Sequence, residues 1–232
     1  MIWSWIPSNA GLIRQLTLEN AYLGIVPALL GLVISVPLGI ACVRWGWLYP
    51  PVLSATSVLY ALPSLALFIV LIPYTGLTDT TVIIPLTLFS LCVLLPNVVD
   101  GLRAVPDPVR QAATAMGFGT LRRLIQVELP IAVPIVSAGL RIATVSSISL
   151  ASVGQLIGVS SLGYLFIDGY QRNFPTEIIV GLVLIIALAL VCDVLLVGAR
   201  RLLTPWQPAP QRRYVPRLPM GRTARKLHGE AA

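Results

Sequence analysis

Charge is scarce in this 232-residue chain: Asp, Glu, Lys and Arg make up 11% of it, against about 25% in an ordinary soluble domain. No soluble core could hide the 56% of residues that are hydrophobic, so with a mean hydropathy of +0.87 the chain asks for lipid as part of its solvent. Lysine is nearly missing. The one lysine, Lys226, lies near the C-terminus and no GxxxxGK[ST] loop occurs, which excludes ATP binding in that manner by this chain. The one histidine, His228, lies in the same terminal stretch and reads as a solvated bystander rather than a ligand. Three cysteines, Cys42, Cys92 and Cys192, fall inside or beside apolar runs without CxxC spacing, so neither a metal site nor a disulfide framework is expected. The opening stretch lacks the positive flank, apolar run and small-residue cleavage site of a signal peptide. The first span is therefore expected to be kept.

The net charge of +7 does not point to nucleic acid, because Arg201, Arg212, Arg213, Arg217, Arg222, Arg225 and Lys226 face only Glu230 in residues 201–232. That stretch reads as a basic tail beside a membrane, expected to be disordered. Residues 1–20 read as an extracytoplasmic segment and 21–200 as the membrane domain.

A bilayer core of about 30 Å needs about 20 helical residues per crossing. Five windows qualify, near Ala21–Cys42, Pro51–Leu71, Val82–Val99, Ile135–Ile157 and Ile178–Val197, which makes this an all-α membrane protein of about five transmembrane helices. Basic residues collect on the cytoplasmic side of membranes. With the C-terminus inside, Arg44, Arg103, Arg110, Arg122, Arg123, Arg200 and the seven tail residues are cytoplasmic, while Arg14 and Arg172 alone are outside. The N-terminus is then expected outside, and Trp45, Trp47 and Trp206 fall at headgroup level.

The spans hold many helix-disturbing residues: Pro27, Pro37, Pro63, Pro85 and Pro96, with Gly24, Gly31 and Gly39 beside them. Freed backbone groups at membrane depth must face protein or a water-lined cavity, so packing around a pathway is one account. Ordinary small-residue helix packing is the other.

Between the third and fourth windows runs DGLRAVPDPVRQAATAMGFGTLRRLIQVELP. Asp107 suits an N-cap, Pro108 the first helical position, and Gly117 and Gly119 a stop, so a short helix is expected over 108–116. A second begins at Thr120, with Leu121, Leu124 and Ile125 on one face, and is expected to be interrupted by Pro130. The small residues Ala112, Ala113 and Ala115 could insert closely into a groove of another protein, or the helix could merely anchor the loop at the interface.

At this point the chain resembles a family. Gln111-Ala112-Ala113, three residues, Gly117, nine residues, Val127, one residue and Leu129-Pro130 is similar in every spacing to the signature loop of ATP-binding cassette importer permeases. Gln111 stands where that family carries Glu and Val127 where it carries Ile, and the first change removes a charge. The resemblance implies the type I importer permease fold. It also implies a coupling helix docking into a partner ATPase through Ala112, Ala113, Met116 and Gly117, with ATP and magnesium held by that partner and no cofactor by this chain. A second permease subunit, an extracytoplasmic substrate-binding protein and a bacterial cytoplasmic membrane location follow in the same way. Ala61-Leu62-Pro63-Ser64-Leu65, Ala138-Gly139-Leu140-Arg141 and Leu156-Ile157-Gly158 through Gly163 resemble the osmoprotectant branch, whose members import glycine betaine, choline, carnitine or related solutes. Pro63, Ser64, Arg141, Gly158 and Gly163 are the pathway candidates this implies.

Two charges, Arg141 and Asp193, fall within spans without an obvious local partner, and such residues are costly in hydrocarbon. Snorkelling of Arg141, or its pairing with the loop, and an interfacial place for Asp193 near Arg200 and Arg201 are the structural expectations. No aromatic cage for a quaternary ammonium is evident in the spans. Tyr164, Phe166, Tyr170 and Phe174 offer an outer docking surface or ordinary aromatic anchoring. An ion-coupled transporter would need titratable groups along its path, and a non-transporting scaffold would use the loop for assembly alone.

Overall fold

A computed structural model describes residues 5–205, and among them there are helices and no strands. The basic tail beyond 205, with Trp206, Lys226 and His228, lies outside the described residues. The chain runs through α1 (Trp5–Ser8), α2 (Ala10–Arg44), α3 (Tyr49–Ala61), α4 (Ser64–Thr75) and α5 (Asp79–Arg103). A surface loop carries α6 (Asp107–Ala115) and α7 (Thr120–Arg123). Then come α8 (Leu129–Ala151), α9 (Gly163–Gln171) and α10 (Pro175–Leu203). Four helical stretches are long and apolar enough to cross a membrane: Ala10–Arg44, Asp79–Arg103, Thr120–Ile157 and Pro175–Leu202. A fifth crossing is made by α3 and α4 together. They carry the chain from the end of α2 to the start of α5, and are bent by 93° at their junction.

That junction is sharper than a proline kink. Pro63 has no N–H and pushes Leu62 out of the helical region, to φ −74° and ψ 136°, so the helix stops at Ala61 and restarts at Ser64. The first span also exceeds its window, because α2 starts at Ala10 and not near Ala21. Its extra turns mix polar with apolar residues and are supported from within: Gln15 Nε2 donates to Glu19 Oε1 at 2.9 Å and Thr17 Oγ1 to the Ile13 carbonyl at 2.7 Å. Helical hydrogen bonding continues past the point where the unbroken apolar run ends.

Pro130 does not interrupt the loop's second helix. Residues Leu124–Glu128 form a π-helical turn, with the Leu129 N–H donating to the Leu124 carbonyl, and α8 follows directly. In an α-helix the Pro130 ring would collide with the Gln126 carbonyl four residues back. The widened turn relieves that collision and keeps the rod continuous.

α2 lies across both α5 and α8, and small residues set the distance. Gly24 meets the backbone of Ile148, and Gly31 and Gly39 meet Ser90 and Val98, with Ala28 at 0% exposure among Leu94, Ala143, Leu32 and Leu140. The seam is pinned by buried polar bonds: Asn20 Nδ2 to the Ile148 carbonyl at 3.1 Å and Ser90 to Ser147 at 3.1 Å. Such bonds contribute about 0.6 kcal/mol each between membrane helices. Cys92 Sγ donates to the Thr56 carbonyl at 2.9 Å, tying α5 to α3, and Cys42 and Cys192 are free and buried in apolar clusters. α3 and α4 pack on α5, and α10 packs on α8.

A Cβ on Gly24 would sit 2.8 Å from the Ile148 Cα, a backbone atom that cannot swing aside. Gly24→Leu is expected to cost about 1–3 kcal/mol and to lower the thermal unfolding midpoint in detergent. Gly11→Leu, where nothing lies within 4 Å, should leave that midpoint within a degree or two of wild type.

Candidate functional site

The loop after α5 is built by local chemistry. Pro106 is extended and lets α6 begin at Asp107, which therefore stands inside the first turn and not at the N-cap; no side-chain cap bond forms there. Asp107 instead approaches Arg110 at 3.6 Å, one turn on. At the other end Gly117 adopts φ +84°, the left-handed conformation that glycine takes without a Cβ penalty. The Phe118 N–H then donates to the Ala113 carbonyl at 3.1 Å and the Gly117 N–H to Thr114 at 3.0 Å. These two bonds are the Schellman closure of a helix end.

Charged side chains brace α6 against the helix ends beneath it. Arg110 Nη2 donates to the Leu102 carbonyl, in the last turn of α5, at 2.7 Å, where a cation also meets the negative end of the helix dipole. Arg123 Nε donates to Glu128 Oε1 at 2.8 Å, and its Nη1 to Thr114 Oγ1 at 2.9 Å. Glu128 is 8% exposed. Its Oε1 also lies 3.9 Å from Arg110 Nε, an electrostatic contact too long for a hydrogen bond. One carboxylate on the π turn thus faces two arginines, one from each limb of the loop. Between this brace and the end of α2 is a cavity of about 220 Å³ lined by Ile40, Val43, Arg44, Leu102 and Leu124 with the brace residues.

The signature residues divide between surface and joint. Gln111, Ala112, Met116 and Gly117 are exposed, Met116 at 70%. Ala113 is 2% exposed. It is covered by the chain itself, which takes it out of the exposed docking surface expected above. Val127, Leu129 and Pro130 belong to the π joint and the start of α8, with Leu129 packed near Val98, Leu102 and Ala132. Also exposed on the same loop are Leu121 at 69% and Ile125 at 55%. Their i,i+4 spacing was legible as an apolar face, but not that the face points outward.

The pathway candidates do not converge on one cavity. Pro63 is exposed at the broken junction, with Ser64 next to it. Gly158, at φ +83°, caps the turn after α8 at the far end from the loop. Gly163 is buried, and a Cβ there would fall on the Ser152 carbonyl, so it is a packing residue. Arg141 and Asp193 are partners, contrary to expectation. Nε donates to Oδ1 at 2.6 Å and Nη2 to Oδ2 at 2.7 Å, a side-on fork between α8 and α10. Of the four outer aromatics only Tyr170, at 79%, is exposed. Tyr164 and Phe166 pack on the α9/α10 core and Phe174 meets Trp5 edge-on at 5.9 Å.

The model of the family described as "Binding-protein-dependent transport system inner membrane component" matches residues 31–207. The osmoprotectant import permease protein OsmW of Salmonella typhimurium is 34% identical over 202 residues, covering 85% of this chain and 94% of that protein. The glycine betaine/carnitine/choline transport system permease protein OpuCB of Bacillus subtilis is 30% identical, covering 87% of this chain and 93% of that protein. The choline transport system permease protein OpuBB of the same organism is 31% identical, at 88% and 94%. A chain of the MetNI methionine ABC transporter, solved in inward-facing conformations, superposes with a TM-score of 0.74 at 22% identity, over 88% of this chain and all of that one. The fold is shared with that importer permease.

Glu128→Gln should loosen the brace. Losing a hydrogen bond between two charged groups costs about 1–3 kcal/mol, so amide exchange across Ala112–Met116 is expected to speed up about tenfold or more, measured by mass spectrometry, with exchange in α5 unchanged.

Proposed function

The chain belongs to the family of binding-protein-dependent transport system inner membrane components, and from that premise we propose that it is the membrane-spanning subunit of an ATP-driven importer of a small osmoprotectant. The solute class is carried over from relatives named for osmoprotectant, glycine betaine, carnitine and choline transport, which this chain matches over most of its length. It is a multi-pass inner-membrane protein. A separate ATPase drives it from the cytosol, an extracytoplasmic binding protein delivers the solute, and a second permease subunit completes the pathway. ATP and magnesium belong to the ATPase.

The observation that carries this reading is the braced α6. Its exposed side, Gln111, Ala112, Met116 and Gly117, with Leu121 and Ile125 exposed on the same loop, is a small-faced apolar surface suited to a cleft in the ATPase. Behind it, Arg110 leads into the end of α5, and Arg123 with Glu128 leads into the rod of α8. A push on α6 therefore moves two membrane helices together, which is the rigid-body kind of switching that alternating access requires. Gln111, exposed beside Arg110 and Arg123, does without the charge that the family carries there, and the brace forms between other residues.

The described residues begin and end on opposite sides, since the starts of α2 and α5 lie away from the loop and the ends of α2, α5 and α10 lie toward it. We place the loop side in the cytosol, a reading supported by the arginine distribution.

Gly117→Leu puts a side chain on the docking surface and a strained φ beneath it. Transport and solute-stimulated ATP hydrolysis should fall at least tenfold while membrane insertion is unchanged; coupled transport at the wild-type rate would overturn the assignment. For the orientation, Met116→Cys should react with an impermeant thiol reagent in inside-out vesicles and not in intact cells. Labelling from the cell exterior would reverse the topology.

A further inference from the structure

The Arg141–Asp193 fork sits at mid-depth. Arg141 is about 18 Å from the start of α8 and about 15 Å from its end, and Asp193 is about 15 Å from the loop-side end of α10, at 1.5 Å per residue. Yet 35% of the arginine side chain and 26% of the aspartate side chain are exposed. Charged groups at this depth face a water-filled cavity or protein, not hydrocarbon. Which side they face follows from α8. Leu140, Ala143 and Ile148 meet α2, whereas Ala138, Ile142, Val145 and Ser146 line a groove with the ion pair. At 100° per residue the groove is on the side of α8 turned away from α2. No described helix covers it.

The fork leaves one edge of the guanidinium free. Asp193 takes Nε and one N–H of Nη2, so both N–H groups of Nη1 and the second of Nη2 remain. That remaining edge has the geometry that grips a carboxylate with two parallel hydrogen bonds. We propose that Arg141, held side-on by Asp193 at mid-membrane, binds the carboxylate of a quaternary-ammonium solute as it passes along this groove. The inference rests on the function proposed above and deepens it, by selecting carboxylate-bearing solutes of the glycine betaine and carnitine kind over choline, which has no carboxylate. Asp193 has two effects. It fixes the orientation of the guanidinium, and it leaves the empty site neutral, so that the arginine holds an anion only weakly and lets it go. The groove contains no aromatic side chain, so the grip falls on the anionic end of the solute and not on its ammonium.

The rival account is that the pair only pins α10 to α8. Two variants separate the accounts. In Arg141→Lys the cation can still pair with Asp193 but has no second edge. The double variant Arg141→Met with Asp193→Leu replaces the pin by apolar packing of similar volume. Each is assembled with its ATPase and binding protein in lipid vesicles, and uptake of glycine betaine and of choline is measured per assembled complex. The expected result is a fall of at least tenfold in the ratio of glycine betaine to choline uptake in both variants. An unchanged ratio, whether uptake persists or both solutes fall together, overturns the proposal, as does a wild type that carries choline alone. If wild type carries glycine betaine alone, loss of its uptake in the assembled double variant supports the proposal and retention overturns it. A wild-type complex that hydrolyses ATP but moves neither solute retires the solute class proposed above, and this inference with it.

Discussion

Hydrocarbon supplies no hydrogen-bond partner, so every irregularity in a membrane helix must be satisfied from within the chain or face a partner or water. The irregular points of this fold follow that constraint. At Pro130 the helix widens into a π turn and keeps its bonds by moving the Leu129 N–H to the Leu124 carbonyl. Near the middle of α5, the Thr56 carbonyl on α3 receives the Cys92 thiol. At the outer end Thr81 Oγ1 bonds both the Gly76 carbonyl and Thr75, so the turn between α4 and α5 closes on itself. The glycine seam of α2 works by the same logic in space. With no hydrophobic force to gather helices inside lipid, close backbone approach at Gly24 and Gly31 supplies the packing that holds α2, α5 and α8 as one body.

On that body the loop is held in place by charge. Glu128 is shielded from water and receives Arg123, while Arg110 reaches past it to the end of α5. Because both arginines extend from the loop to groups at the helix ends, α6 cannot tilt without breaking contacts to two helices. Met116, Leu121 and Ile125, on the same loop, take no part in the brace and are exposed. A partner can therefore seat there without competing for the charges that keep α6 in place.

Much of this was legible in the residues because much of it is local. The crossings follow from apolar run length, and the stop of α6 follows from one glycine whose positive φ a side chain would resist. What escaped has long-range or collective causes. Arg141 and Asp193 are 52 positions apart, and no window of sequence joins them. The burial of Ala113 depends on how α6 packs against the rest of the chain, and the run 111–113 alone gives no sign of it. Pro130 read as a stop because a proline breaks an α-helix; the π turn that accommodates it is a rarer answer than a break. α2 overran its window because hydropathy marks the lipid boundary, whereas a helix ends only where its hydrogen bonds do.

The elbow between Ala61 and Ser64 makes the second crossing dependent on its neighbour. Residues 51–71 form one mainly apolar stretch of ordinary span length, ahead of α5. The carbonyls and amides that the elbow frees would each cost several kcal/mol if left bare in lipid. The two arms, 13 and 12 residues long, are each too short to cross alone at about 1.5 Å per residue. Proline chemistry sets where the chain breaks, and the packing of both arms on α5 is what lets a broken helix stand at this depth.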